Sequence, residues 1–315
     1  MYIYTGHKKA QKNKKIPKQV VWLLIVIFVG WIFRSVYIGR KSTISPIQKD
    51  FMPNTSVLSI LQQNTRDPDV LKKMITKTVG DTLKNYSVYV EDLSYSFSMG
   101  LNETTIYTAA SVNKLLILAA LYQEAQQDLS ILDKKITPQA NDIQSYGTGV
   151  IQYDKPGTSY SVKTLARLMM QKSDNTAAYV LAKYIVGEPT LKKRIEEWGL
   201  TQTNFTTNKT SNLDMSIITK KIFSGNIANT ALTQEMLSFM KDSDFEDRIP
   251  ANLPDTATIY HKIGNAEAGF HDVGIVSFGE NRAYYIGIFT TDVTDQEETL
   301  LLSAKISNIV YNYLK

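Results

Sequence analysis

The stretch Tyr107 to Leu121, YTAASVNKLLILAAL, constrains this chain more than any other. From Ser111 to about Gln127 it has the length of a helix, yet it is apolar on nearly every face. A helix of that kind is stable only when neighbours cover it all round, so it is expected at the centre of a folded domain. Lys114 lies in its first turn. Residues three apart on a helix share a face, which predicts that the Ser111 hydroxyl and the Lys114 amine meet. Ala109 and Ala110 leave room around that hydroxyl. The unpaired amides of a helix start favour negative charge there, whether on an ionising nucleophile or on the oxyanion of a carbonyl. A serine can become a nucleophile in this way without histidine. By itself S-x-x-K recurs by accident, and Ser238 to Lys241, SFMK, fits it as well. That second match lies on a polar-rich helix, and nothing downstream completes it.

At 315 residues the chain can hold one large domain or two small ones. It has no cysteine, which excludes disulfides, thiolate zinc sites, a cysteine nucleophile and a lipid-modified cysteine. His7, His261 and His271 show no metal-ligand spacing, so neither a metal nor another cofactor is expected. The net charge of +5 is local. Residues 1–19 carry six lysines and no acid, whereas residues 20–315 have 29 basic against 30 acidic side chains. Nucleic-acid binding, which needs a basic face, therefore loses its support.

Val20 to Phe33, VVWLLIVIFVGWIF, is unbroken apolar sequence, and the run reaches Ile38 if Arg34 snorkels to the interface. That gives nineteen residues, against ~20 for a bilayer core. The lysine cluster before it predicts a cytoplasmic tail (1–19), a transmembrane anchor (20–38) and an extracytoplasmic remainder at the cell membrane. A cleaved signal peptide is the rival, but Gly39, Arg40 and Lys41 offer no small-x-small cleavage site. Residues 39–69, rich in Ser, Thr, Pro, Gln and Asn, read as a stalk, and residues 70–315 as the folded domain.

Within that domain the apolar spacing predicts a helix over Val70 to Lys84, then short strands at Tyr86 to Leu93 and Tyr95 to Phe97. After the apolar helix come further helices at Val162 to Met170, Thr176 to Gly187, Pro189 to Trp198, Met215 to Phe223 and Thr233 to Met240. Thr201 to Asn212 gives no regular signal. Strands return at Thr256 to Ile263, His271 to Phe278 and Ala283 to Thr290, and a helix closes the chain at Glu297 to Leu314. Strands at both ends with helices between imply an α+β fold. Its antiparallel sheet is flanked by the N- and C-terminal helices and joined to an all-helical lobe.

Three short motifs stand in order: Ser111-x-x-Lys114, Ser173-Asp174-Asn175 and Lys262-Ile263-Gly264, separated by 62 and 89 residues. Order and context resemble the S-x-x-K, S-D-N and K-T-G set of class A β-lactamases and penicillin-binding proteins. The resemblance extends to MMQKSDNTAAYVLAKYIVG, RIPANLP, HKIGN and HDVGIV, and covers roughly Val70 to the C-terminus. It implies that Ser111 is acylated by a β-lactam or an acyl-D-Ala-D-Ala stem peptide, and that Lys114 takes or relays its proton. It implies further that Ser173 passes a proton to the leaving nitrogen beside Lys262, and that Asn175 orients the substrate amide. The resemblance also implies that the backbone amides of Ser111 and Asn265 form the oxyanion hole, which leaves the Asn265 side chain without a role. Gly264 belongs to the substrate-binding strand. Tyr146, one of 18 tyrosines, is either a cleft-entrance contact or a plain loop residue. Asp174 is read as a helix cap, and His261 and His271 as structural residues.

The sequence also departs from that pattern. Gly199 to Met215, GLTQTNFTTNKTSNLDM, contains no glutamate where class A β-lactamases carry the one that activates the deacylating water. Its only carboxylate, Asp214, is explained by capping. Ile263 replaces a hydroxyl residue that binds the substrate carboxylate, a loss of ~1.5 to 3 kcal/mol of binding. No arginine lies on His271 to Phe278 to compensate. The expectation is a membrane-anchored serine hydrolase of the class A type that is acylated readily and released slowly. The alternatives are a peptidoglycan D,D-peptidase or penicillin-binding protein, and a non-catalytic wall-binding module on the same fold. Oligomeric state is left open.

Overall fold

The computed structural model describes residues 66–315, and the expected tail, anchor and most of the stalk lie outside them. Among the described residues no helix is long and apolar enough to cross a membrane.

The sheet has five strands: β1 (Asn85–Asp92), β2 (Phe97–Leu101), β7 (Thr258–Ala266), β8 (Gly269–Phe278) and β9 (Arg282–Thr291). Their order is β2-β1-β9-β8-β7, with every pairing antiparallel. Strands β8 and β9 are buried on both faces, so they read as near-continuous apolar runs. Alternation still sorts their side chains. Val276, Ile286 and Ile288 pack with α1 (Pro68–Val79) and the C-terminal α8 (Gln296–Leu314). Val273, Ile275, Tyr285 and Phe289 face the other way, into the helical lobe. That lobe contains α2 (Lys114–Ala125), α3 (Val162–Gln171), α4 (Asn175–Val180), α5 (Glu188–Glu197), α6 (Asn212–Phe223) and α7 (Thr230–Phe239). The α+β architecture expected from the sequence is the one observed.

The apolar helix takes the central place its composition demands. Every residue of α2 from Lys114 to Tyr122 is buried, and α3, α5, α6 and α7 all pack on it. It begins differently from the expectation: Ala110–Asn113 form a 3-10 turn, and α2 has no side-chain cap. Helices α3, α6, α7 and α8, by contrast, are capped by Ser161, Ser211, Asn229 and Asp295, whose side chains accept from amides in the first turn.

Three local readings need correction. Tyr95 belongs to the turn between β1 and β2, and the second strand starts at Phe97, because Asp92 accepts from the Ser94 and Tyr95 amides and closes that turn. The helix from Asn175 loosens into a π-helical segment, Leu181–Val186, before Gly187 ends it with φ of 80°. The stretch without signal contains β6 (Lys209–Ser211), which pairs with β3 (Ile106–Thr108) and so fixes the residues just before Ser111, while β4 (Lys135–Ile136) and β5 (Tyr160–Ser161) pair with each other.

Candidate active site

Ser111 sits in the 3-10 turn between β3 and the uncapped start of α2, where β7 passes closest. A Cβ built on Gly264 would lie 2.9 Å from the Ala109 carbonyl oxygen and 3.3 Å from the Ser111 amide nitrogen. Only glycine lets strand and turn approach this far. Ala110, just before the serine, holds a left-handed backbone with φ of 50°. Strain of this kind costs of order 1 kcal/mol and is kept only where the surroundings impose it.

The S-D-N segment folds against the same place. Ser173 is also left-handed, with φ of 50°, which turns its carbonyl toward α2. The Lys114 Nζ donates to that carbonyl at 2.6 Å, to the Ser173 Oγ at 3.2 Å and to the Asn175 Oδ1 at 2.7 Å. The expected Ser111–Lys114 pairing is therefore replaced. All three hydrogen bonds of the amine lead to Ser173 and Asn175, because a buried ammonium has three donors to satisfy and this turn presents three acceptors. From β7 the Lys262 Nζ donates to the Ser173 Oγ at 3.0 Å. Two amines thus bracket one hydroxyl.

Neither amine keeps its ordinary basicity. Burial lowers Lys114 to about 7, with the Asp174 charge opposing the drop. Lys262 falls well below the usual range, first through burial and then through the Lys114 charge. A buried amine without a paired carboxylate loses its proton readily, which is what a base at neutral pH requires.

Asp174 does more than the expected capping. It accepts from the Ala177 amide at 2.9 Å, and from the Val150 and Ile151 amides at 2.6 and 2.9 Å. It therefore pins the 146–151 loop against the site. Gly149, with φ of 137°, allows the approach, since a Cβ there would meet the Asp174 carboxylate at 2.6 Å. On this loop the Tyr146 side chain is exposed, and its backbone carbonyl accepts from the Asn175 Nδ2 at 2.9 Å.

The structure brings in a residue that sequence reasoning missed. Arg248, from the RIPANLP segment, is 1% exposed and donates to the His271 carbonyl at 2.9 Å and to the Asn265 Oδ1 at 2.7 Å. The Asn265 side chain, expected to be idle, is the acceptor that holds this guanidinium beside β7. Behind Arg248, Asp272 accepts from the Ile249 amide at 3.1 Å and pairs with the His261 Nδ1 at 2.8 Å, which raises His261 to about 9 despite its burial. His271 bonds the Thr108 carbonyl through Nε2 and is lowered by burial to about 4. Both histidines are held in place, as expected. Ile263 is 2% exposed and contributes packing alone.

Asp214 also differs from its reading. Ser211 caps α6, while the Asp214 carboxylate accepts from the Gln202 amide at 2.7 Å and the Thr203 hydroxyl at 2.8 Å. Among the described residues no group of three His, Asp or Glu side chains is arranged to hold a metal ion.

A sequence model of the β-lactamase enzyme family matches residues 69–314. The chain belongs to that family. As a member it is a serine hydrolase, and relatives agree at several levels. Beta-lactamase 3 of Bacillus cereus is 25% identical over 244 residues, covering 70% of this chain and 76% of that protein. The solved structure of PBP-A is 26% identical and superposes with a TM-score of 0.72, covering 77% of this chain and 95% of that one. The TLA-1 extended-spectrum β-lactamase, at 19% identity and a TM-score of 0.73, covers 78% of this chain and 99% of its own and shares the fold.

Proposed function

We propose that this β-lactamase-family hydrolase opens β-lactam or acyl-D-Ala-D-Ala amide bonds by acylating Ser111, and that it releases the acyl group slowly. The observation that carries this reading is the pair of depressed amines on one hydroxyl, Lys114 and Lys262 at 3.2 and 3.0 Å from Ser173 Oγ. Ser111 Oγ attacks the carbonyl carbon while neutral Lys114 takes its proton. The oxyanion is held by the Ser111 and Asn265 amides. As the C–N bond breaks, Lys114 returns the proton through the Ser173 hydroxyl to the leaving nitrogen, and Lys262 keeps that hydroxyl oriented. Asn175, fixed between Lys114 and the Tyr146 carbonyl, positions the substrate amide. Arg248 supplies the positive charge for the substrate carboxylate that Ile263 cannot bind. A PBP-A mutant has been solved as an acyl-enzyme complex with penicillin G, which supports the same choice of reaction here.

Intact-mass spectrometry of the full-length chain after a penicillin pulse tests this. An adduct with the mass of the whole antibiotic is expected. Its rate of formation should rise with pH and level off above about 7, because only the deprotonated Lys114 can accept the serine proton. A chain that stays unmodified, or a rate that falls across that range, would remove the proposal.

The six lysines before the apolar run support a second part of the reading, an uncleaved anchor at residues 20–38 with the enzyme domain outside the cytoplasm. Reporter fusions after Lys49 should be active only when the reporter functions outside the cytoplasm. A mature N-terminus near Gly39 would reject the anchor.

A further inference from the structure

We propose that Asp272 is the positioning residue through which this site selects substrates that carry a carboxylate, an inference that rests on the acyl-transfer function proposed for Ser111 and on the part it gives Arg248. Arg248 is a cation closed inside the protein, and the two acceptors that hold it, the His271 carbonyl and the Asn265 Oδ1, are both uncharged. Its neighbour Asp247 stands 3.4 Å from Nε without a hydrogen bond to it. A buried guanidinium on neutral acceptors is costly to keep unless a carboxylate nearby offsets its charge. Asp272 is that carboxylate. It is 0% exposed, and its charge, with that of Asp247, opposes the loss of basicity that burial imposes on Arg248.

Asp272 also decides where the guanidinium stands. On β8 it lies opposite Ile263, the residue after Lys262 on β7. Its Oδ2 accepts from the amide of Ile249, the residue after Arg248, and its Oδ1 accepts from the Nδ1 of His261, the residue before Lys262. One side chain thus ties the RIPANLP segment to the strand of the third motif. The tie leaves Arg248 on the side chain of Asn265, whose backbone amide is assigned to the oxyanion. A bare carboxylate in this place would repel an anionic substrate, but His261 cancels the charge. Raised to about 9, this histidine is a cation at neutral pH, 2% exposed and 2.8 Å from Asp272, so the pair is neutral as a whole. The other acids here, Glu246 at 3.5 Å from the His261 Nε2 and Asp247, have side chains 45% exposed, where solvent screens them. Arg248 remains as the positive charge that a substrate carboxylate meets.

Benzylpenicillin and its methyl ester test this on the full-length chain, because esterification removes the carboxylate charge and leaves the β-lactam intact. The acid is expected to acylate Ser111 about ten- to a hundredfold faster than the ester, the range that hydrogen bonds to charged groups produce. Asp272→Asn keeps an acceptor for the Ile249 amide but removes the charge. It should cut the preference for the acid about tenfold, while the ester rate stays within about threefold and shows that the variant is folded. His261→Gln, which leaves Asp272 charged and without its cation, should lower the preference as well. In an Arg248→Gln background Asp272→Asn should change the preference no further, because Asp272 acts through Arg248. Equal losses for acid and ester in Asp272→Asn would reduce Asp272 to a structural residue and overturn the proposal. So would a preference that survives in Asp272→Asn, or one that falls further in the Arg248→Gln background. Equal rates for acid and ester in the unaltered chain would overturn the part given to Arg248, and that of Asp272 with it. Failure of both compounds to acylate Ser111 would instead overturn the acyl-transfer function itself.

Discussion

Ser111→Ala is expected to abolish covalent labelling by penicillin, whereas Ser238→Ala should label at the unaltered rate. The two serines share the S-x-x-K spacing, and the fold separates them. Ser111 stands at an uncapped helix start, with β7 against its amide, three residues before Lys114, one of the two depressed amines on Ser173. Ser238 is exposed on α7, and its hydroxyl donates to the Glu235 carbonyl of its own helix at 2.7 Å. No other group meets it that could take a proton or hold an oxyanion. An adduct needs the attacking oxygen, so removing that oxygen removes the adduct entirely. The change deletes one atom from a partly exposed side chain, and the fold should lose no more than ~0.5 kcal/mol. Labelling of Ser111→Ala, or loss of labelling with Ser238→Ala, would show that the wrong serine has been assigned.

The parts of this site that were legible in the sequence are those written in short-range pattern. The apolar helix, the S-D-N motif between two helices and the Lys262 strand each sit on a run of ten residues or so, and order along the chain joins them. What was missed arrives through tertiary contact. Strands β3 and β6 are three residues each and are paired across about a hundred residues of chain, so neither shows a period. Arg248 lies in a loop without helix or strand signal and becomes part of the site only because Asp272, on another element, holds the Ile249 amide. The partners of Lys114 were misjudged for a related reason. Helical spacing places its Cβ near Ser111, but the amine at the end of a long side chain goes where three acceptors are found.

The same geometry explains how one hydroxyl can serve two steps. Ser173 Oγ can accept from one amine and donate to the other, so a proton taken at Lys114 reaches the leaving nitrogen without crossing solvent. The arrangement disfavours two charges, because Lys262 is lowered first by burial and then by the Lys114 charge. In the proposed reaction, attack and departure are thereby served by the same buried set of groups. Nothing in that set is aimed at an incoming water.

The acyl-enzyme formed with penicillin is therefore expected to persist, with a burst of product followed by a slow steady state. Hydrolysis of the ester needs a water and a base beside it, and lack of a general base typically costs ~10² to 10⁴ in rate. The stretch that would carry such a base is folded back on itself. Asn204 and Lys209 exchange backbone hydrogen bonds at 2.8 and 2.9 Å, and the Asn208 carbonyl accepts from the Ala109 amide at 2.8 Å. The loop is thus tied beneath the nucleophile by backbone and amide groups, with Asn208 bonded to Asn113 at 2.7 Å. Its one carboxylate, Asp214, is 1% exposed, raised by burial and already engaged by Gln202 and Thr203. Glu188 is turned to the surface, where it accepts from Thr206 at 2.5 Å. The bases left beside this site among the described residues are the Lys114 and Lys262 amines, and both are already engaged, Lys114 by Ser173 and Asn175 and Lys262 by Ser173. The measurement is the decay of the adduct mass after excess penicillin is removed. Decay over minutes or longer is the expected result, while loss within milliseconds would mean that a water and a base reach the ester by a route this geometry does not contain.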